Sequence, residues 1–178
     1  MAEVNLKDAI EHLAFEVHQY RSFSRLVETR VVFTWEPLAS QAVLTAILLH
    51  LRLLLDFFYA TPRQDDVCWR HFTAVPHFQQ HFPAELLDGD RPEVETFRKK
   101  LHKRLVHFTA TRWTDNQQQF MNSYMRMFPL LDKALLAFET SLPPDLEKAY
   151  EHALEIWQQK QPCPVPEDHP TRIFPDPD

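Results

Sequence analysis

The spacing of apolar residues along the chain predicts helices. Leu6, Ile10, Leu13, Val17 and Tyr20 recur at intervals of three and four, the period of one helix face. Asn5 stands before them as a cap and Asp8 follows in the first turn, so a first helix is expected after Asn5, running past Phe23. A break at residues 31–36 precedes Pro37, which suits a first helical turn, and a second helix is expected from there to about Tyr59. Its circumference is mostly apolar, as in a buried central helix. Gln41, Thr45, Arg52, Asp56 and Tyr59 form one polar seam, while His50 points the other way among Val43, Ala46 and Phe57.

Between residues 61 and 92 the pattern breaks. Pro62, Pro76, Pro83 and Pro92, with Asp65, Asp66, Asp88, Gly89 and Asp90, predict short helical turns rather than one helix. Trp69, Phe72, Phe78 and Phe82 read as anchors holding this stretch to the bundle. A third long helix is expected from about Pro92 through Arg112, with Phe97, Leu101, Leu105 and Phe108 facing the core. A fourth follows Thr114 or Asp115, its apolar face formed by Phe120, Tyr124, Phe128, Leu131, Leu135 and Phe138, with a kink expected at Pro129. After Pro143 and Pro144 an acidic last helix is expected over Asp145 to Lys160, docking loosely. The remainder, 161–178, holds six of the fourteen prolines and reads as a disordered tail.

These elements describe an all-α fold: a bundle of four to five main helices in one domain, residues 1–160, followed by the tail. A chain of 178 residues is long enough to bury a core without a disulfide or metal staple. Glycine sharpens the reading because it occurs once, at Gly89. Phosphate-binding loops and nucleophile elbows need several glycines, so a P-loop, a Rossmann fingerprint and an α/β-hydrolase site are excluded. The opening MAEVNLKDAI has no basic segment followed by an apolar run, and Cys68 and Cys163 sit in unrelated contexts, so a cytoplasmic location is expected. The apolar run Ala42 to Ala60 is interrupted by Thr45, His50, Arg52 and Asp56, which argues for a core helix and against a membrane span.

Charge adds a local feature. The formal net charge is −6, yet Arg91 to Arg112 carries seven basic residues against Glu93 and Glu95. Lys100, Arg104, His107 and Thr111, spaced four, three and four, share one flank of the third helix, while His102 falls on the other. A histidine between cations tends to stay neutral and able to accept a proton, and the cations suit a phosphate. Arg52 and Asp56 would complete a small polar pocket if the second helix turned its seam inward. The ordinary alternative is a solvated basic face beside a routine i,i+4 ion pair.

The segments LLHLRLLLDFFY (Leu48 to Tyr59), RQDDV (Arg63 to Val67) and LHKRLVHFTATR (Leu101 to Arg112) resemble helical proteins related to the HEPN superfamily, over roughly residues 40 to 140. The resemblance implies a compact helical bundle, commonly a homodimer, and metal-independent ribonuclease chemistry without a cofactor. The family motif is an arginine, usually followed by a polar residue, with a histidine after four to six intervening residues. His107 matches the histidine and His102 the polar residue. The arginine positions hold Lys100, Leu101 and His102, while Arg98 lies too far before His107 and Arg104 too close. A lysine there supplies charge but not the forked donors of a guanidinium.

Helical spacing and the resemblance together make His107, Arg104 and His102 the candidate catalytic cluster and Lys100, Lys103, Arg52 and Asp56 the candidate binding residues, with RNA or a nucleotide as ligand. The rival reading is a non-catalytic bundle with a protein partner. Cys68, His71, His77 and His81 match no zinc-finger spacing, and surface histidines in an aromatic-rich loop are the preferred account. Asp65 and Asp66 read as turn caps.

Overall fold

A computed structural model describes residues 4–29, 37–63, 66–106 and 117–161, with the side chains of 37, 38, 40, 41, 104–106 and 117–122 outside that description. Among the described residues all regular structure is helical: α1 (Leu6–Glu28), α2 (Pro37–Tyr59), a 3-10 turn (Trp69–Ala74), α3 (Pro76–His81), α4 (Glu85–Val106), α5 (Gln117–Ser141) and α6 (Pro144–Lys160). The all-α expectation holds. The Asn5 side chain accepts a hydrogen bond from the Lys7 backbone N–H at 3.1 Å, capping α1 where expected. The expected break at 31–36, the core position Phe108 and the proline-rich stretch from 162 onward lie outside the described residues, and the side chains of Leu105 and Phe120 lie outside the description.

α6, α1, α2 and α4 pack successively, and α5 packs against α4, α3 and the end of α2. Where α2, α3 and α5 meet, aromatic rings fill the interior. Phe138 of α5 is fully buried, with the rings of Phe57, Phe72 and Phe78 5.4, 5.0 and 5.2 Å away, centre to centre, mostly edge to face. Trp69 donates its indole N–H to the Phe58 carbonyl at 2.8 Å, tying the 3-10 turn to the end of α2. The aromatic anchors read from the sequence are thus core residues.

Three expectations are corrected. The last helix does not dock loosely: α6 lies along α1, with Leu146, Tyr150 and Ala153 buried and Trp157 against Phe15 at 4.7 Å. Beyond its end, His18 contacts the Gln161 carbonyl at 2.8 Å and Gln19 bonds the Gln161 side chain. Second, α2 is only half-buried. Leu49 and Leu53 remain 46% and 42% exposed, because α1 and α4 cover two flanks and no described element covers the face between them. Ala42–Tyr59 is long and apolar enough to cross a membrane by length and composition, and in this fold Ile47, Leu51, Leu54, Leu55 and Phe58 turn it into the core.

Third, α4 begins at Glu85, seven residues before Pro92, and runs through both Gly89 and Pro92. Pro92 has no N–H for the Asp88 carbonyl, and glycine and proline cost a helix interior about 1 and 3 kcal/mol relative to alanine. Tertiary burial overrides them: Leu87, Val94, Phe97 and Leu101 form one stripe, all at most 2% exposed. Both breakers sit on the exposed side, and nothing lies within 4 Å of a methyl built at Gly89. Gly89→Ala is therefore expected to stabilise the fold by about 0.5–1 kcal/mol, read as a higher urea midpoint at unchanged slope.

Candidate functional site

The polar seam of α2 does face α4. Arg98 donates its Nε–H to Asp56 Oδ1 at 2.7 Å and adds a second contact from its guanidinium, while Arg52 approaches Asp56 Oδ2 at 3.5 Å from one turn away. Tyr59 belongs to the same seam: its carbonyl accepts from Arg91 at 2.9 Å, and its buried hydroxyl makes no hydrogen bond among the described residues. Burial, then the Asp90 charge, pushes the Tyr59 phenol up to about 12, with Arg91 opposing. Both oxygens of Asp56 are thus engaged by arginines, and the seam is a clip between two helices. Arg98, set aside in the motif comparison for its distance from His107, is its main donor.

The rest of the expected cluster divides. Lys100, His102 and Lys103 are exposed on the last turns of α4. Arg104 lies in the helix with its side chain outside the description, and His107 and Thr111 lie outside the described residues. The described part of α4 therefore brings together a cationic surface, not a pocket. Lys99, Lys100 and Lys103 make no ion pair among the described residues, and cations at a helix C-terminal end interact favourably with its dipole.

Protein-family models, curated proteins and solved structures give no match to this chain. Its chemistry has to be read from its own residues.

The proline-broken region forms local contacts. Cys68 donates its backbone N–H to His71 Nδ1 at 3.2 Å, and His77 stacks on His81 at 4.3 Å. Among the described residues no three metal-binding side chains gather in one group. Asp66 accepts from the Arg63 backbone N–H at 2.9 Å, the turn-capping role expected for this acidic pair; Asp65 is outside the described residues.

A second polar seam, between α1 and α5, was not read from the sequence. Tyr20 donates to Asp132 at 3.4 Å, and Glu28 and Tyr124 lie close enough to share its electrostatics. The Tyr124 hydroxyl is buried without a hydrogen-bond partner among the described residues. Further along, Glu139 accepts from Arg21 at 2.9 Å and from the Tyr150 hydroxyl at 2.7 Å, joining α1, α5 and α6. Burial raises the phenols of Tyr20, Tyr124 and Tyr150, and neighbouring carboxylates push the same way. Burial also raises the carboxyls of Glu28 and Asp132, with Arg25 opposing at the first and Arg21 and the Tyr20 hydrogen bond at the second. The available signal was Tyr20 and Tyr124 at core positions, since a buried phenol needs a polar neighbour.

Two outcomes follow from these seams. Asp56→Ala leaves Arg98 without its acceptor and should destabilise the fold by about 1–2 kcal/mol in chemical denaturation. At Asp132 the folded-state pKa lies above the unfolded one, so the native state binds the proton more tightly and stability falls as pH rises through the folded value. Asp132→Asn should therefore raise the denaturation midpoint at neutral pH, with the advantage shrinking as pH is lowered through that value.

Proposed function

We propose that this chain is a HEPN-like binding module that holds RNA phosphate on the exposed basic end of α4 without cleaving it. The observation that carries the reading is the division of charge on α4. Arg98 is taken up by Asp56, whereas Lys99, Lys100 and Lys103 stand exposed with no ion pair among the described residues. Uncompensated lysines on a rigid helix suit a phosphate backbone, which is recognised chiefly by charge. The family's arginine is absent from its position, and Asp56 is already engaged, so neither is available to orient a catalytic histidine. The homodimer implied by the resemblance belongs to the same proposal.

A second reading, a protein-interaction bundle, is favoured by Leu49 and Leu53, which stand exposed on α2 beside the Arg52–Asp56–Arg98 clip. Fluorescence anisotropy with a single-stranded RNA separates the two. Binding should weaken with salt, and replacing both Lys100 and Lys103 by alanine should lower the log–log salt slope by about 0.7 per lysine. Binding indifferent to both changes removes α4 from the argument. Without metal, neither the native chain nor His107→Ala should cleave the RNA; cleavage by the native chain that His107→Ala abolishes would overturn the non-catalytic assignment.

A further inference from the structure

α1 and α6 run side by side in the same direction, with Phe15 against Trp157 and, further along, His18 and Gln19 against Gln161. Between them lies an open groove of about 950 Å³. Its floor on α6 is formed by two small residues, the half-buried Ala149 and the buried Ala153, while Leu146 and Tyr150 turn into the core. Phe15, Ile156 and Trp157, all half-buried, complete an apolar floor.

The rim carries three lysines and two histidines. Lys7 and His12 reach in from α1, and Lys148, His152 and Lys160 from α6; none makes an ion pair with a described carboxylate. Lys160 lies 5.2 Å over the Trp157 ring, so its ammonium is held at the aromatic end of the floor. Two carboxylates oppose these charges. Asp145 sits in the first turn of α6, where the positive end of the helix dipole absorbs much of its effect, and Glu11 lies one turn from Lys7 on the same helix. The stretch from Lys148 to Lys160 has no carboxylate on the groove side.

We infer that this groove is a binding site for a small flat aromatic anion, such as an aromatic carboxylate. The ring lies on the floor over Ala149 toward Phe15 and Trp157, below the Lys160 ammonium, and the anionic group meets Lys148 and His152, one helical turn apart at the other end. The volume is in the range of small-molecule sites, and an apolar floor with a few charged groups at its edge is their usual composition. The inference does not depend on the reading of α4.

Titration of the ¹⁵N-labelled full chain with 1-naphthylacetate and with 1-naphthylmethylammonium, nearly equal in ring and opposite in charge, tests it. The anion should shift the Trp157 indole N–H and the Ala149 and Ala153 amides, and the cation should leave them in place. Replacing Lys148 and Lys160 together by alanine, exposed positions that leave the core intact, should weaken the anion about ten-fold. Ala149→Leu, which fills the floor from a half-buried position, should abolish the shifts. Absence of shifts with either compound, equal shifts with both, or binding that survives the double lysine variant would each overturn the assignment.

Discussion

The structure depends most on how one ring is surrounded. Phe138 has no polar atom and no contact with water, and its neighbours come from α2, the 3-10 turn and α3. Each ring contributes about 2–3 kcal/mol by leaving water, and edge-to-face contacts add about 0.5–1.5 kcal/mol per pair. Local propensity cannot hold residues 69–82, which amount to six residues of 3-10 turn and six of α-helix. Their rings, seated around Phe138, fix the path of that stretch and so the point at which α4 begins.

With the aromatic interior fixed, polar groups decide how the helices sit against one another. The Arg98–Asp56 clip sets α4 on α2, His50 Nδ1 meets Glu16 at 2.6 Å between α2 and α1, and Glu139 gathers Arg21 and Tyr150 where α1, α5 and α6 converge. Each connects residues distant in sequence. Partly exposed ion pairs add little net stability, but a misplaced helix would leave a charge half-buried without a partner, which is costly. They act on register more than on depth of stability.

This division explains what was legible in the sequence. Asn5 as a cap, Pro37 as a first-turn residue and the periodic face from Tyr124 to Phe138 are local signals, and the helices follow them. The start of α4 was misread because Gly89 and Pro92 are strong local breakers, while the stripe Leu87, Val94, Phe97 and Leu101 that overrides them acts only once a core exists. The docking of α6 was missed for the same reason: its counterpart on α1 includes Phe15, His18 and Gln19, whose partners lie 142 or more residues away in the two hydrogen-bonded cases. At the candidate site, the inward-facing seam of Arg52 and Asp56 was visible from helical spacing. That Arg98 would occupy it was not, because spacing along one helix carries no information about which residue of another helix lies opposite.

The packing order also bears on the segregation of charge. An acidic last helix in a chain with one basic segment suggests mutual neutralisation, yet α6 lies on α1 and α4 lies on α2. Neither helix is the other's main packing partner, and exposed charges farther apart than a Debye length of about 8 Å at physiological salt are screened from one another. Glu147, Glu151 and Glu155 are exposed on α6 as Lys99, Lys100 and Lys103 are on α4. The net charge of −6 therefore describes the molecule only at long range. At contact distance α4 presents a positive face, and the potential there is set by the side chains next to it and not by the sum over the chain.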